Sequence, residues 1–133
     1  MALWNEYNAN PRHKRVGDCT VRAISVITDQ DWQTTYSKLA LQGYMDFDIP
    51  SSNAVWQSYL KSLGYKRHAI PDKCPECYSV RSFCDDHPRG RYLLGLDGHV
   101  VAVKDAIYYD TWDSGDETVI YYFELEEDQQ QHE

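Results

Sequence analysis

Three segments in the first half of the chain repeat apolar residues at the spacing of an α-helix. Their apolar stripes are Val21, Ala23, Ile24 and Ile27, then Trp32, Tyr36, Leu39 and Ala40, then Val55, Trp56, Tyr59, Leu60 and Leu63. Asp18 and Asp29 stand where helix N-caps belong, and Gly43 stands where the second helix should end. The pattern therefore predicts three helices, over 19–27, over 30–42, and from 51 or 52 to 63.

The second half changes to short segments rich in β-branched and aromatic residues, separated by turn residues. These predicted strands cover 91–96, 99–104, 107–112 and 118–125, with a further candidate strand at 65–70. Ser79 is placed to cap a short helix ahead of them. Helices packed on a following antiparallel sheet make an α+β fold. The chain has 133 residues, so one core is expected: a single domain over 1–125 and a flexible acidic tail over 126–133.

Charge and hydropathy argue against two classes of partner. The net charge of −8 disfavours general nucleic-acid binding, which needs a basic face. The short basic run at 11–15 is not extended elsewhere. Neither a signal peptide nor a run of about 20 apolar residues is present, so the protein is expected to be cytoplasmic, without a membrane partner. Its four cysteines are then expected to be thiols or metal ligands rather than disulfides.

Cys19 is the candidate nucleophile because it is the first residue of a predicted helix. Unpaired N–H groups and the helix dipole at such an end lower the pKa of a thiol, and the thiolate is the form that attacks a carbonyl carbon. The N–H of Cys19 would also face the oxyanion that forms on the substrate. Asn8, Asn10 and His13, in the preceding loop, are the candidates for the second oxyanion donor. The structural alternative for Cys19 is a buried cysteine that packs as a small hydrophobe.

His99 is the candidate base. It begins an apolar strand directly after two turn residues, and a base at a strand end is held rigidly yet can reach a cleft. If a two-residue turn at 105–106 joins this strand to the next, Asp110 lies diagonally opposite His99 on the same face of the sheet. Asp110 is therefore the predicted carboxylate that orients the imidazole. Asp113 is its substitute if a bulge shifts the register.

Three motifs follow one another along the chain. They are GDCTVRAIS at 17–25, GHVVAV at 98–103 and YYDTWDSG at 108–115. Together they resemble the papain-like cysteine peptidase superfamily, in particular its small phage and bacterial members. The resemblance implies a papain-like fold, a Cys19–His99–Asp110 triad, and hydrolysis of a peptide, isopeptide or related amide substrate through an acyl-enzyme, without a cofactor. His13 stands where papain itself has a Gln, six positions before the Cys.

A rival constellation consists of Cys74, Cys77, Cys84 and His87. Two pairs of thiol or imidazole groups, each spaced three apart, supply four ligands suited to tetrahedral zinc. Such a zinc would be a structural clip between the two halves of the chain and would not replace the Cys19 site. The alternative function is accordingly a non-catalytic binding or adaptor protein on the same fold, with or without this zinc.

Overall fold

A six-stranded mixed β-sheet forms the centre of the computed structural model, which describes residues 3–14, 16–71 and 78–125. The helices of this part of the chain are α1 (Cys19–Thr28), α2 (Trp32–Asp46), α3 (Asn53–Ser62) and α4 (Val80–Asp86). The strands are β1 (Leu3–Glu6), β2 (Tyr65–Ala69), β3 (Arg91–Leu96), β4 (His99–Lys104), β5 (Ile107–Asp110) and β6 (Tyr121–Leu125). Across the sheet they run β1-β5-β4-β3-β6-β2. The predicted α+β class is confirmed, and none of the described helices combines the length and apolar character needed to cross a membrane.

Helices α1, α2 and α3 cover one face of the sheet. Their apolar stripes meet residues of β2, β3, β4 and β6 in one core, made of Ala23, Ile24, Ile27, Leu39, Trp56, Tyr59, Leu60, Tyr65, Leu93, Val100, Ala102 and Phe123. Trp56 is 1 % exposed and packs edge-on against Phe123, with ring centroids 5.6 Å apart. Burial of this apolar surface contributes a free energy of about 25 cal/mol per Å² and holds α1 against β4. The packing thereby fixes the position of the first residue of α1 relative to the sheet.

Helix α4 packs on the opposite face, so the sheet lies between two helical layers. The second core contains Val80, Phe83, Cys84, Tyr92, Leu94, Leu96, Val101, Val103, Ala106, Tyr108 and Val119. Because side chains alternate along a strand, Leu93 and Val100 face α1 whereas Leu94 and Val101 face α4. Burial on both faces explains why β3 and β4 are almost continuously apolar.

The hairpin between β4 and β5 has the register predicted from the sequence. Ala102 pairs with Tyr109, and the strands are joined by Asp105 and Ala106. These two residues have φ angles of 52° and 70°, the left-handed conformation that both central positions of a type I′ turn require. The register carries Asp110, the last residue of β5, to the beginning of β4.

The prediction of a purely antiparallel sheet is wrong, because β1 pairs with β5 in the parallel direction. Glu6 lies opposite Asp110, and the N–H of Tyr7 continues the pairing by donating to the Asp110 carbonyl at 2.9 Å. All four residues of β1 are exposed. No alternation of buried and exposed positions therefore marks this strand in the sequence.

Two predicted boundaries of α2 are also wrong. Its N-cap is Asp31, whose carboxylate accepts the N–H of Thr34 at 2.7 Å, whereas Asp29 ends α1 in the left-handed conformation. The helix continues past Gly43. Glycine is required there because the chain returns closely: a Cβ would lie 2.7 Å from the carbonyl oxygen of Asp48.

Candidate active site

Cys19 begins α1, and its free thiol is partly exposed. The sulfur is hydrogen-bonded to the imidazole of His99, and it accepts the backbone N–H of Val100. As the first residue of a helix, Cys19 also has an N–H without an intrahelical acceptor. The thiol of Cys19 and the N–H donor of the same residue therefore lie side by side at the start of β4.

His99 joins Cys19 to Asp110. Nε2 of the imidazole lies 2.7 Å from Oδ2 of Asp110, and the Asp110 side chain is 2 % exposed. Since Nε2 faces the carboxylate, Nδ1 is the ring nitrogen left for the thiol. The contact predicted across the β4–β5 hairpin is present, and thiol, imidazole and carboxylate form one hydrogen-bonded chain.

The surroundings of Cys19 and His99 favour an ion pair, with a thiolate on Cys19 and an imidazolium on His99. Burial by itself would lower the pKa of His99, but the hydrogen bonds to Asp110 and Cys19 outweigh it and raise that pKa to about 9. Burial would likewise raise the pKa of Cys19. This effect of burial is outweighed by the hydrogen bond from His99, by the N–H of Val100, and by the charges of His99 and Arg22. The pKa of Cys19 therefore lies below its ordinary value. The two shifts together favour a thiolate beside an imidazolium over a neutral thiol beside a neutral imidazole.

Among the described residues, the carboxylate of Asp110 has three partners besides His99. The hydroxyl of Ser114 donates to Oδ2 at 2.8 Å, and the N–H of Thr111 donates to Oδ1 at 2.8 Å. The guanidinium of Arg22 lies 3.6 Å from Oδ1. Both carboxylate oxygens therefore have partners, which allows the group to remain buried and charged.

Asp18 occupies the N-cap position of α1, but its side chain does not cap the helix. Its carboxylate pairs instead with Arg22, one helical turn later, and accepts the indole N–H of Trp32 at 2.9 Å. The capping role predicted for Asp18 is wrong in this respect, because the charged guanidinium and the indole compete for the same oxygens. Asp18 belongs instead to the polar cluster around Cys19, His99 and Asp110.

Asp113, the substitute third member in the sequence analysis, belongs to a separate set of contacts. Its carboxylate accepts the hydroxyl of Tyr108 and the N–H of Gly115, the latter at 3.0 Å. It also pairs at 3.1 Å with Arg81, and both side chains are about 40 % exposed. The hairpin keeps its register without a bulge, so Asp110 and not Asp113 reaches His99.

Trp112 lies over His99, with ring centroids 5.3 Å apart and an angle of 39° between the rings. The indole is 42 % exposed. It covers one side of the imidazole and offers an aromatic surface next to the base.

The three candidates for a second oxyanion donor are placed differently. Asn8 donates its side-chain amide to the carbonyl of Lys14 at 3.1 Å, and buried Asn10 accepts the N–H of Arg12 at 2.9 Å. His13 is exposed, with φ at 53°. A groove of about 380 Å³ is lined by Glu6, Tyr7, Asn8, His13 and Thr111. The groove thus reaches the residue after Asp110.

The proposed zinc ligands are only half visible, because Cys74 and Cys77 lie outside the described residues. Cys84 is fully buried in the core under α4, and burial raises its pKa to about 12. His87 stacks on Phe83 with centroids 3.8 Å apart, and its Nδ1 lies 2.8 Å from the Phe83 carbonyl. Within 3–14, 16–71 and 78–125, no cluster of His, Cys, Asp or Glu is arranged to hold a metal ion.

Sequence reasoning missed Arg22 and Ser114 as members of the site. The spacing of Asp18 and Arg22 is the i, i+4 spacing of a helical ion pair, and that signal was available. Ser114 follows Asp110 by four positions in a turn-rich segment, where a serine is ordinarily assigned to the turn itself. Its hydroxyl reaches Asp110 only because the loop folds back over the end of β5.

No family model, curated protein or solved structure matches this chain. The inference of function therefore depends on the residues around Cys19 and on the motif resemblance described above.

Proposed function

We propose that this protein is a cysteine-nucleophile hydrolase of the papain-like type. The observation that carries the proposal is the hydrogen-bonded chain from Cys19 through His99 to Asp110, with the sulfur at a helix N-terminus. Each member has the chemical property that its role needs: an ionisable nucleophile, a base of raised pKa, and a buried carboxylate that fixes the ring. A cysteine that served only for packing would need neither His99 beside it nor Asp110 behind that imidazole.

In the first half of the proposed reaction, the Cys19 thiolate attacks the carbonyl carbon of an amide. The developing oxyanion is stabilised by the N–H of Cys19 at the positive end of α1. The carbon–nitrogen bond then breaks, and His99 gives its proton to the leaving amine. The product of this half-reaction is a thioester on Cys19.

In the second half, neutral His99 accepts a proton from a water molecule, which attacks the thioester carbonyl. The carbon–sulfur bond breaks, the carboxylic acid leaves, and the thiolate–imidazolium pair is restored. The hydrogen bond from Nε2 to Asp110 keeps Nδ1 directed toward the sulfur throughout.

The substrate class that fits best is a peptide, an isopeptide or a related amide within a protein. The exposed face of Trp112 beside His99 and the groove that reaches Thr111 offer binding surface for a chain longer than the reacting bond. Papain-like structure and peptidase activity are parts of this proposal.

Alkylation of the folded protein by iodoacetamide near neutral pH tests the proposal. Peptide mass spectrometry should find Cys19 modified quickly and Cys84 hardly at all, because Cys84 is buried with a pKa of about 12. His99→Ala should slow modification of Cys19 at least tenfold without changing that of Cys84. A peptidyl vinyl sulfone should label the wild-type protein and not Cys19→Ala.

Equal and slow alkylation of Cys19 and Cys84 would contradict the hydrolase. The binding or adaptor function would then be the better account of the fold, and Cys19 would be a packing residue. Fast alkylation without vinyl sulfone labelling would limit the proposal to a reactive thiol with no peptide-binding cleft.

A further inference from the structure

Arg22 connects the nucleophile helix to the carboxylate behind the base. Its guanidinium contacts Asp18 through one nitrogen and lies 3.6 Å from Asp110 through another. The side chains of Arg22, Asp18 and Asp110 are 12 %, 5 % and 2 % exposed, respectively. One planar cation is therefore enclosed between two buried carboxylates that come from different elements of the fold.

A pair of Asp18 and Arg22 alone would stabilise α1 and would not require Arg22 to reach β5. Burying a guanidinium costs free energy that a single ion pair does not reliably repay. The second contact gives the cation a role beyond the helix, since the forked geometry of arginine can hold two carboxylates at once. Lysine has a single point charge and no such fork.

We infer that Arg22 is a positioning residue for the Cys19–His99–Asp110 site, an inference that rests on the proposed function. Through Asp110 it fixes the imidazole relative to α1, and through its charge it favours the Cys19 thiolate. The nucleophile lies on α1 and the base on β4, and Arg22 links α1 to β5, whose Asp110 holds the base.

In the part of the chain that the structure describes, the ionisable groups around Cys19 and His99 come from four elements. Cys19 faces His99 of β4, Tyr121 of β6 and Arg22 of its own helix. His99 faces Cys19 and Asp110 of β5. Removal of the Arg22 charge withdraws a cation from the thiolate, and it leaves Asp110 free to attract the imidazolium more strongly. The pKa values of Cys19 and His99 should then both rise, whereas a loss of packing alone would not raise both.

The test compares Arg22→Gln and Arg22→Lys with the wild-type protein. Cys19 alkylation is followed from about pH 5 to about pH 10, and the His99 imidazole is titrated by NMR. The Gln variant should raise both midpoints by about one pH unit, and the Lys variant should restore them within about 0.3 unit. Against a cleaved peptide, the Lys variant should lower kcat about tenfold at unchanged KM, because it retains the charge but not the fork.

Arg81→Gln is the matched control, since Arg81 also bridges two aspartates, Asp113 and Asp116, but on the exposed loop. It should move neither midpoint. Unchanged midpoints in Arg22→Gln, or wild-type kcat in Arg22→Lys, would overturn the inference.

If Arg22→Gln does not fold, the kcat of Arg22→Lys alone is decisive: a lowered kcat supports the positioning role, and a wild-type kcat overturns it. Failure of the proposed function gives a different result: in the wild-type protein, the alkylation midpoint of Cys19 would then not lie below the ordinary pKa of a thiol, whatever the variants do.

Discussion

The hydroxyl of Ser114 donates to the same oxygen of Asp110, Oδ2, that faces the imidazole of His99. Ser114 is completely buried. It donates to an acceptor that would otherwise be buried with one partner fewer, and it limits rotation of the carboxylate about the Cβ–Cγ bond. The loop after β5 is therefore part of the site and not only a connection to β6.

Removal of this hydroxyl should weaken both the fold and the proposed reaction. Ser114→Ala leaves a buried carboxylate oxygen with one donor fewer, so the free energy of unfolding should fall by about 1–3 kcal/mol. Urea denaturation measures this change. Ser37→Ala, on the exposed side of α2, should change stability by less than about 0.5 kcal/mol. Equal effects of the two substitutions would contradict a structural hydrogen bond at Ser114.

Asp110 and Asp113 should differ sharply when each is replaced by asparagine. Asp110→Asn removes the carboxylate that stabilises the imidazolium, so the pKa of His99 should fall from about 9 toward its ordinary value. NMR titration of the imidazole measures the shift, and hydrolysis should fall by a factor of about 100 or more. Asp113→Asn should leave both quantities almost unchanged, because Asp113 contacts Tyr108 and Arg81. The opposite order would make Asp113 the orienting residue.

The pH dependence of the proposed hydrolysis should be bell-shaped. Activity requires the Cys19 thiolate, whose pKa is lowered, and the His99 imidazolium, whose pKa is raised to about 9. As the pH falls, the thiolate is protonated and activity is lost. As the pH rises through about 9, the imidazolium loses its proton, and kcat/KM should fall again. A kcat/KM that keeps rising through this upper region would contradict an active thiolate–imidazolium pair.

Replacement of Gly95 by a residue with a side chain should destabilise the protein. A Cβ at this position of β3 would lie 2.1 Å from the ring of Tyr121 on β6. Gly95→Ala must displace that ring, so the free energy of unfolding should fall by about 1–3 kcal/mol. Tyr121 lies near Cys19, so alkylation of Cys19 should also change. Gly17→Ala is the matched control, because a Cβ there meets nothing within 4 Å and its stability should change little.

Local features of the sequence were sufficient to place Cys19, His99 and Asp110 on their elements. The glycine–aspartate pair before Cys19 and the apolar spacing after it mark the start of α1. The two-residue turn after β4 determines the hairpin register, and the alternation of side chains then brings Asp110 to the face of His99. Such inferences succeed because helix starts and tight turns depend on residues close together in the chain.

Only the tertiary structure decided which distant groups meet. The parallel pairing of β1, the position of α4 on the second face, and the contacts of Arg22 and Ser114 with Asp110 have no local signature. Even the hydrogen bond between Cys19 and His99 depends on the core that packs α1 against β4. The sequence by itself therefore determined the α+β class and the chemistry available at each element end. Packing of both sheet faces determined which of those ends share a site, because burial of apolar surface is satisfied by the whole chain and not by any one segment.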